Sequence, residues 1–92
     1  MPSPSPTSFD ADRPFRLNPA VALRPEPFGA LAYHFGNRRL SFLKAPELVA
    51  LVRALDRHGS AREALARVPE GRREAFRRAL ASLAAADMII PQ

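Results

Sequence analysis

Two histidines, His34 and His58, are the side chains of this 92-residue chain best suited to proton transfer near neutral pH, and no cysteine accompanies them. His34 lies in an alternating stretch beside Arg39, across an expected turn. His58 ends a helical stripe, where a positive charge suits the helix dipole. Both read as structural or solvated side chains. A metal centre requires several ligands at regular spacing, and the sequence holds no such cluster. The four glycines, at 29, 36, 59 and 71, stand alone, so no phosphate-cradling loop is present. Acids paired on one helix face for general acid–base chemistry are also missing. The chain is expected to be no enzyme, with no catalytic residues, no metal and no cofactor.

Its chemistry is therefore that of binding, and its charge points to a partner. Lys and Arg number 14 against 9 acids, for a net charge of +5. Residues 1–37 are neutral, with Arg13, Arg16 and Arg24 against Asp10, Asp12 and Glu26, so residues 38–92 carry the whole excess. A basic half suits nucleic acid, an anionic surface or an acidic peptide. All the basic residues but Lys44 are Arg, and Ala is abundant, a bias that a G+C-rich genome also produces. The start, Met1-Pro2-Ser3-Pro4-Ser5-Pro6, lacks the basic and apolar regions of a secretion signal. No apolar run reaches the ~18 residues of a membrane span. A cytoplasmic protein with no membrane partner is expected.

The elements that must position a binding site follow from patterning. Residues 1–8 are expected to form a disordered Pro/Ser-rich tail, and 9–92 a single domain. Residues 9–20 read as an irregular lead-in. Val21–Arg24 makes a short strand, halted by Pro25 and Pro27. Residues 30–35 alternate, with Leu31, Tyr33 and Phe35 on one face, and Gly36-Asn37 reads as a two-residue hairpin loop. That loop pairs 35 with 38, 33 with 40 and 31 with 42. The period then changes to 3.6. Leu48, Leu51, Val52 and Leu55 form the stripe of a first helix, opened by Pro46 and ended by Gly59 at its C′ position. Ser60 to Glu63 is a capping box opening a second helix, stopped by Pro69. A third runs from about Arg72 to Ala86 with Phe76, Leu80 and Leu83 inward. Met88-Ile89-Ile90 is an extended end. Three short N-terminal strands followed by three helices predict an α+β domain, its last two helices arranged as a helix-turn-helix pair.

Strand 38–43 is the last of its sheet and is expected to be an edge, offering unpaired backbone groups to an extended chain. Arg39, Leu40, Ser41, Phe42 and Leu43 are its candidate contact residues. On the third helix, Arg73 and Arg77 fall on one flank beside Leu80 and Ala84, and these four are expected to form the facing wall of a groove. Arg78 stands i, i+4 from Glu74, an arrangement worth a few tenths of a kcal/mol. Four or five ladder bonds at ~1 kcal/mol each supply about 4–5 kcal/mol, whereas micromolar binding requires about 8. Apolar anchors and charge attraction must supply the rest.

Val21-Ala22-Leu23-Arg24-Pro25-Glu26-Pro27-Phe28-Gly29-Ala30, with Tyr33-His34-Phe35-Gly36 and Arg39-Leu40-Ser41-Phe42-Leu43-Lys44, resembles the mycofactocin peptide chaperones. These belong to the PqqD-like family of recognition elements for ribosomally made, modified peptides. Arg78-Ala79-Leu80-Ala81-Ser82-Leu83 and Asp87-Met88-Ile89-Ile90-Pro91 are similar too, so the likeness spans roughly residues 16–91. It implies a winged helix-turn-helix domain that binds a precursor's leader as an added strand between its third strand and third helix. It further implies presentation of the mycofactocin precursor to a radical SAM maturase, which would hold the iron–sulfur chemistry. Acidic leaders are common in such systems, and would suit Arg73 and Arg77.

The alternative is a DNA-binding winged helix, whose basic third helix enters a major groove. Against it, that helix lacks Asn, Gln and Lys, although Arg alone reads guanine. A further alternative is a module that folds only within a larger complex. The adaptor reading expects no nucleic acid partner.

Overall fold

A computed structural model describes residues 9–92 of the chain; the Pro/Ser-rich segment 1–8, expected to be disordered, lies outside the described residues. The domain is α+β. Its strands are β1 (Phe15–Leu17), β2 (Val21–Glu26), β3 (Gly29–His34), β4 (Leu40–Leu43) and β5 (Ile89–Pro91). The helices are α1 (Pro46–Ala54), α2 (Ala61–Leu65) and α3 (Glu70–Ala85), with a 3₁₀ turn over Leu55–Arg57 after α1. Strands β2-β3-β4 form one antiparallel sheet, and β1-β5 form a second of two strands. No helix among the described residues is long and apolar enough to cross a membrane.

The lead-in is more ordered than its prolines suggest. Phe15, Arg16 and Leu17 pair with Pro91, Ile90 and Ile89, so the two ends of the domain close on each other. Gln92 reinforces the closure by donating its side-chain amide to the carbonyl of Phe15 at 2.8 Å. Residues 11–13 also cap α2: the amides of Ala61 and Arg62 donate to the carbonyls of Arg13 and Ala11 at 3.0 and 2.7 Å. Ser60 accepts from the Glu63 amide at 3.0 Å, as a capping box requires, while the Glu63 carboxylate reaches Gly59 at 3.2 Å. Gly59 is not the left-handed terminator expected of it; the 3₁₀ turn ends α1 instead.

Strand β2 continues through Pro25, which pairs with Ala30. Proline is admitted because β2 is an edge strand, where a missing donor faces no neighbour. Pro27 and Phe28 then form the hairpin loop, and Gly29 follows at φ 148°. At this position a Cβ would lie 2.1 Å from the carbonyl oxygen of Leu43.

The expected register between β3 and β4 is observed, with Tyr33 opposite Leu40 and Leu31 opposite Phe42. Its loop differs. Residues 35–38 form a four-residue connection closed by His34 and Arg39, so Phe35 and Arg38 are not a ladder pair. Arg38, at φ 61°, takes the left-handed conformation in place of Gly36. Side chains explain this: His34 Nδ1 accepts from the amides of Gly36 and Asn37 at 2.9 and 3.1 Å. Asn37 Oδ1 accepts from the Arg39 amide at 2.9 Å. Gly36 is required because a Cβ would lie 2.8 Å from the His34 ring.

The core joins both sheets and all three helices, centred on Phe15, Leu43, Val52, Leu55, Leu80, Met88 and Ile89. Leu48, Leu51 and Val52 of α1, Leu65 of α2 and Phe76, Leu80 and Leu83 of α3 turn inward, as their spacing predicts. In β3 the buried residues are Ala30, Ala32 and His34. The small side chains face α1, and the large ones face outward. Gly29→Ala is expected to lower stability by about 3 kcal/mol or more, through left-handed strain and the clash with Leu43. Urea unfolding followed by circular dichroism measures it.

Candidate functional site

Strand β4 is one of the two edges of its sheet, and α3 lies across a cleft from it. Leu40, Ser41, Phe42, Leu48, Ala79, Ser82 and Leu83 line that cleft, whose volume is about 390 Å³. The amide of His34 donates to the carbonyl of Arg39 at 3.0 Å, making this a hydrogen-bonded pair. Such pairs alternate along an antiparallel ladder. The backbone N–H and C=O groups of Leu40 and Phe42 therefore point to the open edge. Their side chains are 55% and 61% exposed, unusual for large apolar residues.

Three of the five β4 candidates line the cleft, and the helical wall differs from the expected one. Leu40, Ser41 and Phe42 line the cleft; Arg39 stands exposed at its end, and Leu43 is 1% exposed in the core. Leu80 and Ala84 are fully buried and belong to the core. The helix presents Ala79, Ser82 and Leu83 to the cleft instead. Arg73 and Arg77 lie on another flank, around a hollow shared with Ala11, Arg62 and Leu65. The difference is one of rotation: Leu80 is where α3 meets the core, which turns the 79–83 face to β4.

The arginines of α3 are moreover engaged locally. Arg73 donates to the carbonyls of Val68 and Ala66 at 2.8 and 3.0 Å, closing the end of α2. Arg77 grips Glu74 with two bonds, at 3.0 and 2.7 Å, and Arg78 reaches the same carboxylate at 3.3 Å. The Glu74 carboxyl is held down to about 2, first by the hydrogen bond from Arg77. Arg72 pairs with Glu47 at 3.3 Å and lies over the Phe76 ring. Arg38, Arg39 and Lys44, by contrast, flank the free edge and enter no ion pair among the described residues. Cations available to an acidic ligand thus stand at the ends of β4.

One joint fixes β4 opposite α3. His34 is 5% exposed, and its Nδ1 is occupied by two loop amides, so its proton sits on Nε2. That proton faces the Asp87 carboxylate at 3.1 Å. Asn18 donates to the carbonyl and carboxylate of Asp87 at 2.9 and 3.3 Å. Its 3.2 Å approach to His34 Nε2 sets two donors beside one shared acceptor. Asn37 donates across to the carbonyl of Ala86 at 3.2 Å. Asp87 itself, at φ 63°, ends α3 in a Schellman turn, with the amides of Asp87 and Met88 bonded to the carbonyls of Ala84 and Leu83. The sequence expects a structural or solvated His34; its partners, 16 and 53 positions away, carry no local signal.

Comparison with known proteins shows the family of the chain. The family model described as "Peptide chaperone MftB family" matches residues 14–90. The chain belongs to the peptide chaperone MftB family. It is 48% identical over 87 residues to the peptide chaperone MftB of Mycobacterium ulcerans, covering 92% of this chain and 80% of that protein. The Mycobacterium tuberculosis member is 46% identical over 88 residues, covering 94% and 81%. That of Mycolicibacterium smegmatis is 46% identical over 86 residues, covering 91% and 84%. No solved structure matches the chain. The MftB family is one of chaperones and not of enzymes, and the described residues hold no cluster of His, Cys, Asp or Glu suited to a metal ion.

His34→Ala removes three bonds to a buried ring, each worth about 1 kcal/mol, and is expected to cost about 3 kcal/mol. Denaturant unfolding checks this. The exchange of amides in residues 35–40 should rise with it.

Proposed function

We propose that this chain is a peptide chaperone that holds the leader of a ribosomally made precursor, the mycofactocin precursor, as an added strand on β4. It presents that precursor to a radical SAM maturase, and works in the cytoplasm. The observation that carries the reading is the open edge of β4, with Leu40 and Phe42 exposed over an apolar cleft. On this reading α2 and α3 are the helix pair of a winged-helix domain put to peptide binding.

The chemistry of the edge supports it. A strand pairing with Leu40 and Phe42 gains four backbone bonds, about 4 kcal/mol in total. Alternate side chains of that strand then fall into the cleft against Leu48, Ala79 and Leu83. Burying one or two large apolar residues there adds about 1.5–3 kcal/mol each, which brings the sum to micromolar affinity. Arg38, Arg39 and Lys44 attract an acidic leader to the two ends of the strand. Ladder bonds and apolar contacts resist salt, whereas contacts to many phosphates do not.

A DNA-reading role for α3 fits less well. Its four arginines are already directed at Glu47, Glu74, the carbonyls closing α2 and the ring of Phe76. None is poised as an unengaged fork for a guanine edge.

Leu40→Pro separates the ladder inside the sheet from the ladder offered to a ligand. The Leu40 N–H faces the open edge, so its loss spares the bonds to β3. Calorimetric titration with the leader peptide is expected to show about tenfold weaker binding for Leu40→Pro, with the fold retained. Arg77→Glu should bind as tightly as the parent, and Arg39→Glu more weakly. Salt-sensitive binding to duplex DNA with no affinity for the peptide would overturn the reading.

A further inference from the structure

The outer face of the β2-β3-β4 sheet is built the wrong way round for a surface that meets only water. Its inner face carries Ala30, Ala32 and His34, while Leu31 and Tyr33 of the same strand face outward. Phe35, Leu40 and Phe42 extend this outer face at 64%, 55% and 61% exposure. Phe28 joins it, its ring 6.0 Å from that of Phe42, and Tyr33 meets Phe35 edge-on at 5.0 Å. The rings are thus held in place by one another before any partner arrives.

We propose that this face docks a second protein, one with an apolar contact surface bordered by carboxylates, and that a peptide strand bound on β4 completes the docking surface. This rests on the peptide reading above. Three observations select the occupant. The first is charge. Arg24, Arg38 and Lys44 border the face, and among the described residues only Arg24 of the three enters an ion pair, with Glu26 at 3.5 Å. A second copy would set these cations against their own kind, whereas carboxylates complement them.

The second is area. The exposed parts of Phe28, Phe35, Leu40 and Phe42 amount to roughly 400 Å², within the range of the largest apolar patches on monomers. One side of a standard interface buries about 800 Å². A little over half of such an interface is apolar, so the patch supplies the apolar part of one protein contact.

The third is continuity. Leu40 and Phe42 belong both to this face and to the cleft beneath the open edge. In an added strand every second side chain turns to the outer face. The peptide therefore widens the patch beyond β4, and a protein covering both contacts the loaded chain over more area than the empty one. Reciprocity follows: the second protein tightens the peptide by the same factor.

Phe35 tests the face without touching the peptide site, since it lies in the 35–38 loop and does not line the cleft. The probe is the purified radical SAM maturase, titrated against the labelled chain with and without precursor peptide. The parent is expected to bind it, at least fivefold more tightly with peptide present. Phe35→Asp should weaken maturase binding at least tenfold in both arms, with peptide affinity within twofold and the thermal melt retained. Phe35→Ala, which adds no charge, should fall between. Maturase affinity unchanged in Phe35→Asp, or absent in the parent, would overturn the proposal. So would a parent dimer in sedimentation, or parent binding to phosphatidylglycerol vesicles, that Phe35→Asp abolishes. Docking through Phe35 with no peptide affinity at all would sink the peptide reading and leave the face standing alone.

Discussion

The His34 ring joins three segments that are far apart in the chain. Its Nδ1 takes the amides of Gly36 and Asn37, and its Nε2 donates to Asp87, which Asn18 also grips. The β3–β4 loop, the corner between β1 and β2 and the end of α3 are thereby bolted together. Without this joint, the hairpin could swing relative to α3 and the cleft would have no fixed width. The joint also explains two backbone choices that run against ordinary preference. Asp87 occupies a left-handed position that most helices give to glycine, because its carboxylate is needed by His34. Gly36 sits under the imidazole, where any Cβ would collide with the ring.

A second constraint follows from the sheet. Ala30 and Ala32 let α1 lie close against β3, so the aromatic and aliphatic residues of the hairpin are left on the opposite face. Two exposed surfaces result from one alternation. On the proposed reading, the cleft receives what lies on the inner side of an added strand, and the outer face meets what lies on the other. Leu40 and Phe42 stand at the boundary of both. The proposed function draws on such an edge, because a cargo bound there becomes part of the surface shown to another protein.

Local signals in the sequence led to most of the elements. Alternation over 30–35, the stripe Leu48-Leu51-Val52-Leu55 and the capping box at Ser60 each depend on neighbours within a few residues, and each is found in the structure. The pairing of Phe15–Leu17 with Ile89–Pro91 depends on residues some 70 positions apart, and three-residue strands have too little pattern to announce themselves. The four-residue loop was hidden for a related reason. Its closure comes from the side chains of His34 and Asn37 and not from the turn preference of Gly36-Asn37. The edge position of β4 was legible because an edge follows from strand order. The face that α3 turns to it was not, since the rotation of a helix is set by tertiary packing: Leu80 and Ala84 face the core, and Arg73 and Arg77 a separate hollow.

The central claim is that a peptide pairs with the open edge of β4. Amide hydrogen exchange of the chain, followed residue by residue by NMR with and without the leader peptide, addresses it most directly. The account predicts that the peptide slows exchange at the Leu40 and Phe42 amides, which face the open edge, by at least tenfold. The Ser41 and Leu43 amides, already paired with β3, should change far less. Unchanged Leu40 and Phe42 amides at saturating peptide, with protection gathered around Arg73 and Arg77, would contradict it.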